Sequence, residues 1–173
     1  MKKQLAIVFF VTVIGSCGRI DKEGKPAAPQ KPKPVISGKS LVVGDESLHA
    51  LFLLYEQLST ALVNGEAAKA TTTANSLHTG ARELGWPQIA SVAQEITTEE
   101  SLGDKRTAFE QLGKIMEQSL RKKGLRSGAV YVHHCPMAFD NRGASWLSSG
   151  QETLNPYYGE EMLNCGAISD TLK

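Results

Sequence analysis

With 173 residues, a net charge of +1 and 41 % hydrophobic residues, the chain has enough material for one domain and too little for two comfortable ones. The near balance of acids and bases leaves no concentrated basic face, which excludes nucleic acid as a ligand. The one basic run, Arg121 to Arg126, reads as a helix end, where cations complement the negative end of the helix dipole.

The first residues set the compartment. Lys2 and Lys3 form a short basic region, Leu5 to Ile14 form an apolar core too short to span a bilayer, and the small residues Gly15 and Ser16 precede Cys17. That is the order of an export signal. The string VIGSC resembles a bacterial lipobox. The resemblance implies a signal peptide over 1–16, a lipidated N-terminus at Cys17 and durable membrane anchoring through several acyl chains. Gly18 rather than Asp after the cysteine points to the periplasmic side of the outer membrane. The competing reading is an ordinary cleaved signal with a stray cysteine. Residues 17–44 carry Lys, Pro, Ala and Gly, including KPAAPQKPKP, and have almost nothing to bury. A disordered or polyproline-like tether is expected there, with a ligand for an aromatic groove as the lesser alternative.

The folded region, 45–173, opens at Asp45, a suitable N-cap. Leu48, Leu51, Phe52, Tyr55, Leu58, Ala61 and Leu62 then recur at helical spacing until Asn64 and Gly65 stop the run. A second helix is expected from Glu66 to Leu84, with Ala67, Ala70, Ala74, Leu77, Ala81 and Leu84 on its inner face. Gly85 and the Trp86-Pro87 step end it, and Ile89, Val92, Ala93 and Ile96 mark a shorter third helix. Asp104 is placed to cap a fourth, through Phe109, Leu112, Met116 and Leu120 to Gly124. The expected class is mainly α, an antiparallel bundle of about four helices, because the connections are short. Met116 belongs to the core by its spacing. His49 and His78 are single histidines on helices, better suited to packing or solvent than to metal.

After Gly128 the pattern changes. Val130 and Val132 suggest a short strand, and the remainder has too many Gly, Asn, Ser and Pro residues for much regular structure. Pro136 biases Cys135 toward an extended backbone, so alternation places His133, Cys135 and Met137 on one side and His134 on the other. NPYYGEEMLNCG reads as a turn at Asn155-Pro156, a short helix around Glu160 to Asn164, and a stop at Gly166. Trp146, Tyr157 and Tyr158 are expected to pack this tail onto the helices.

The tail concentrates soft donors. Cys135 and Met137 lie two apart, Met162 and Cys165 three apart, so each sulfur pair can share a face if the first is extended and the second helical. Thiolate and thioether favour Cu(I), and imidazole can complete a site for copper or zinc. The bland alternative is a disulfide between Cys135 and Cys165, natural in an exported protein and worth roughly 3 to 4 kcal/mol in the chain-entropy picture. The two readings can also be redox states of one site. An enzyme built on Cys135 and His133 or His134 is disfavoured, because no orienting carboxylate or oxyanion-forming glycine loop accompanies them.

Tyr131, Cys135-Pro136-Met137-Ala138, Gly143-Ala144, Trp146-Leu147-Ser148, Asn155-Pro156-Tyr157-Tyr158-Gly159, Met162-Leu163 and Cys165-Gly166 together resemble the bacterial DUF3347 family, over about Gly44 to Gly166. The family is similar to domains found beside or fused to efflux-system adaptor proteins in heavy-metal resistance. The resemblance therefore implies copper handling, with Cys135, Met137, Met162 and Cys165 as candidate ligands, His134 as a further one, and an efflux adaptor as a partner. The resulting expectation is a lipid-anchored periplasmic protein that binds Cu(I) without chemical turnover. Its alternative is a structural or interaction lipoprotein whose two cysteines are bridged.

Overall fold

The computed structural model describes residues 40–173. The expected signal segment over 1–16, the lipidation at Cys17 and most of the tether lie outside the described residues. The last stretch of the expected tether belongs to the fold. There β1 (Val42–Val43) pairs antiparallel with a strand after the helices, and Val43 is fully buried.

Helix α1 (Glu46–Val63) starts where Asp45 predicts, its carboxylate accepting the Leu48 N–H at 3.0 Å. All seven positions expected to face inward are buried. Helix α2 (Ala67–Glu83) buries Ala70, Ala74, Leu77 and Ala81, and its small inner residues let α1 and α3 approach closely. Leu84, expected on that face, is 47 % exposed instead. The helix stops at Glu83, and the chain turns through Gly85 at φ 77°, so the helical period no longer governs where Leu84 points. Helix α3 (Pro87–Thr98) carries proline at its first position, where a missing N–H removes no helical bond.

Helix α4 (Leu102–Lys123) is capped by Ser101 rather than by Asp104. The Ser101 hydroxyl accepts the Asp104 N–H at 3.0 Å and donates to the Asp104 carboxylate at 2.5 Å. The true capping partner is thus three residues earlier than the sequence suggested. Each helix packs on the next, and α4 returns to α1. Two neighbouring cations of α4 serve the ends of other helices. The buried Lys105 ammonium donates to Ile96 and Glu99 carbonyls at the end of α3, and Arg106 donates to the Leu62 carbonyl of α1 at 3.1 Å. These are carbonyls a helix cannot satisfy internally.

The protein is mainly helical, 57 % of its described residues, with small antiparallel sheets. β2 (Leu125–Ser127) is the partner of β1. The tail is more regular than expected: β3 (Val130–Cys135) is the centre of a three-stranded antiparallel sheet between β4 (Ala144–Ser148) and β5 (Ala167–Leu172). Only β3 carried a sequence signal. β4 reads ASWLS, and most of β5 is exposed, so neither shows a long apolar alternation.

An aromatic chain joins sheet to helices. Tyr55 stacks on Phe109 at 4.8 Å, Phe109 meets Tyr157 at 6.3 Å, and Tyr157 meets Trp146 edge-on at 5.9 Å. The tail is thus packed by the aromatics expected to pack it, with Trp146 and Tyr157 buried.

Candidate metal centre

β3 sets the directions of the candidate ligands. His133 lies opposite Trp146, His134 opposite Ser145 and Cys135 opposite Ala144. His133 and Cys135 therefore share one face and His134 takes the other, as strand alternation requires. His133 is fully buried and stacks on the Trp146 indole at 5.3 Å. Its Nε2 is 3.2 Å from the Gly150 carbonyl and its Nδ1 is 3.3 Å from the Thr153 hydroxyl. A carbonyl only accepts, so Nε2 carries the proton and Nδ1 receives the threonine's. Burial holds this imidazole's pKa below its ordinary value, against the opposing pull of the Gly150 bond. Both nitrogens are engaged, and the ring is part of the core. His134 is exposed, with Nδ1 3.0 Å from the Ser145 hydroxyl. Its imidazole projects from the sheet face opposite Cys135.

The cysteines do come together. Thirty residues apart in sequence, the Cys135 and Cys165 sulfurs stand 2.7 Å from one another as free thiols, Cys135 fully buried and Cys165 half-buried. Contact with Cys135 first, then burial, pushes the Cys165 thiol up. That is the opposite of an activated nucleophile.

Asn155 closes the loop that brings them together. It is fully buried; its amide donates to the Cys165 carbonyl at 2.9 Å, and its side-chain oxygen accepts the Tyr157 and Tyr158 N–H groups at 2.8 and 3.2 Å. Gly166 then lets the chain pass over β3. A Cβ there would sit 2.8 Å from the His134 carbonyl oxygen and 2.9 Å from the Trp146 ring, and its φ of 129° suits glycine. Sequence reading took Asn155 for a turn former and missed this reach. The signal available was an Asn ten residues before a cysteine, which has no periodicity to mark it.

The methionines lie two and three residues from the cysteines in sequence. Met137 is 46 % exposed, and its carbonyl accepts the Tyr158 hydroxyl at 2.6 Å. The next turn, Ala138–Asn141, holds Phe139, Asp140 and Asn141 at φ 51°, 56° and 66°, a run of left-handed residues costing on the order of 1 kcal/mol or more each. Phe139 is held in it against Tyr157 at 5.2 Å, with the Arg142 guanidinium 4.9 Å over its ring. Met162 ends the 3-10 turn Gly159–Met162, which replaces the expected short helix around 160–164, and its carbonyl accepts the Cys165 N–H at 3.0 Å.

Among the described residues, no three side chains from His, Cys, Asp and Glu converge as metal ligands. An ion at the cysteine pair would draw further donors from the methionines or from outside the chain. Two thiolates on one tetrahedral ion stand about 3.8 Å apart for metal–sulfur bonds of about 2.3 Å, so the pair must open by roughly 1 Å to admit one. The residue chemistry fits a soft ion, and the pair stands between the separation of two ligands and that of a bridge, about 2.05 Å.

Also among the described residues, no helix is long and apolar enough to cross a membrane. No curated protein and no solved structure matches the chain. The Cys/Met-rich tail lies beyond the region matched by a family model, which runs from α1 to β2. The family model described as "Protein of unknown function (DUF3347)" matches residues 51–128, and this helical region supports the DUF3347 resemblance.

Proposed function

We propose that the protein is a lipid-anchored periplasmic metal-binding protein that holds Cu(I) between Cys135 and Cys165, with Met137 and Met162 as flanking thioether donors and no chemical turnover. The observation that carries this reading is the convergence of two cysteines from distant segments, each with a methionine two or three residues away. Both thiols would lose their protons as the ion bound, so uptake would release protons and weaken in acid. Trp146 and Tyr157, packed beside this tail, would keep the inner side of such a site dry. His134 is the weakest of the proposed ligands, since it leaves β3 on the face opposite Cys135 and its Nδ1 is engaged with the Ser145 hydroxyl. The copper assignment draws on the resemblance of the tail, as does an efflux-system adaptor as recipient. The anchor rests on the lipobox at Cys17, and the helical part is taken as an antiparallel bundle that presents the tail.

A second reading is favoured by one distance. At 2.7 Å the sulfurs are closer than one ion would hold them, which supports a disulfide that staples the tail in a non-catalytic interaction lipoprotein.

Titration of anaerobically reduced full-length protein with Cu(I), against a chromophoric competitor, separates the two. The metal reading expects a fixed ratio of ion to protein. It also expects at least about tenfold weaker retention in the Met137→Leu, Met162→Leu double variant with unchanged thermal stability, because Leu and Met are similar in volume. Absence of retained copper, or retention indifferent to the methionines, would leave the bridge.

A further inference from the structure

We propose that Cys135 and Cys165 form a reversible thiol–disulfide couple that exchanges with external thiols and disulfides through the Cys165 sulfur. The inference rests on the bridge reading of this pair and extends it by naming the exchanging sulfur and the partner chemistry, a low-molecular-weight thiol or its disulfide. It does not depend on copper.

The two sulfurs are close but unequal. Cys135 is the last residue of the central strand, fully buried and paired across the sheet with the buried Ala144. Cys165 is half-buried in the loop before an edge strand. It lines an open, largely apolar hollow of about 450 Å³ together with His134, Pro136, Gly166, Ala167, Ile168 and Ser169. Ile168 is itself 41 % exposed there. Thiol–disulfide exchange needs access to the sulfur under attack. Cys165 has that access from the hollow. Cys135 has its neighbouring sulfur on one side and the core on the other. The backbone around Cys165 is fixed at both of its polar groups, N–H to Met162 and carbonyl to Asn155, so its sulfur is presented without local unfolding.

The steps balance. The Cys165 thiolate attacks one sulfur of an external disulfide; the external S–S bond breaks, and one thiolate departs with its electron pair. The Cys135 thiol gives its proton to that thiolate and attacks the Cys165 sulfur, expelling the second external thiolate, which takes up the proton lost from Cys165. Two protein thiols are oxidised to one disulfide, and one external disulfide is reduced to two thiols. In the reverse direction an external thiolate attacks Cys165.

The test uses the full chain in the presence of a metal chelator, exposed to oxidised glutathione and read residue by residue by peptide mass spectrometry so that Cys17 is scored separately. Wild type is expected to yield the Cys135–Cys165 bridge. Cys135→Ala is expected to accumulate glutathione on Cys165, and Cys165→Ala to modify Cys135 at least about tenfold more slowly. In urea the two single-cysteine sites should react at comparable rates, which assigns the native difference to the fold. Equal native rates, faster reaction at Cys135, or an unreactive Cys165 would overturn the exchange-sulfur assignment while leaving the bridge. Two thiols that both stay free in excess oxidised glutathione would remove the bridge reading with it. The copper titration, done on reduced protein, is read independently of either result.

Discussion

The Asn155 side-chain amide donates to the Cys165 carbonyl at 2.9 Å while its own oxygen holds the N–H groups of Tyr157 and Tyr158. One buried side chain thus fixes both ends of the loop that delivers the second sulfur. Asn155→Ala leaves three backbone groups in or near the core without their partner, and stability should fall by about 2–4 kcal/mol. Asn155→Asp keeps the acceptor and loses the donor, placing a carboxylate against the Cys165 carbonyl. Urea unfolding of both variants checks the stability loss. The rate at which glutathione closes the Cys135–Cys165 bridge checks the positioning, with slower closure expected for both.

Gly166 should tolerate no side chain. An Ala methyl would meet the His134 carbonyl oxygen at 2.8 Å and the Trp146 ring at 2.9 Å, at a φ that L residues avoid. Gly166→Ala is expected to cost about 2–3 kcal/mol and to separate the cysteines, since the residue next to Cys165 must move off β3. A far-ultraviolet thermal melt measures the first effect and thiol accessibility the second. Unchanged melting would mean that the loop passes β3 by another route.

The helices were legible because burial follows the 3.6-residue period almost residue for residue, from Leu48 to Leu62 and from Phe109 to Leu120. Where the period ended, so did the inference, as Leu84 shows. The sheet was largely illegible. β5 is an edge strand with little to bury, and β4 alternates over only five residues. At the candidate site the two cysteines announced themselves by residue type. His133 shows what pattern alone cannot supply: alternation put it on the face of Cys135, where it could pass for a ligand. The groups that occupy its ring, Gly150 and Thr153, come from a loop 17 and 20 residues away. Asn155 was hidden for the same reason, its partner lying across a chain reversal rather than along a period.

His133 should make the fold sensitive to mild acid. Burial lowers its folded pKa, so the unfolded chain binds the proton more readily. Stability from this group is complete above the unfolded value of about 6.5 and is lost as pH falls from there through the lower folded value. The carboxylates held low by their partners, Asp45, Glu110 and Asp170, lose their contribution only at more acidic pH. Urea midpoints should therefore decline between about pH 7 and pH 5.5 in wild type. His133→Phe keeps a ring against Trp146 and should flatten that decline, at a general cost of about 1–3 kcal/mol for the two partners it abandons. A wild-type midpoint constant across this window would refute the assignment.

Tyr55 ties the candidate site's sheet to the first helix through a single atom. Its hydroxyl, buried with the rest of the side chain, accepts the Leu147 N–H of β4 at 3.2 Å, and burial raises its pKa so that the phenol stays protonated. β3 uses the other edge of β4, so this N–H has Tyr55 as its acceptor. Tyr55→Phe preserves the stack on Phe109 and removes only that acceptor. The expected loss is about 1–2 kcal/mol of global stability. A disproportionate rise in amide exchange at Leu147 should accompany it, because that N–H loses its acceptor while the Glu56 carboxylate of α1 still holds Ser149 at the end of β4. Exchange at Leu147 that follows global unfolding alone would show that the aromatic chain, and not this bond, holds the sheet in place.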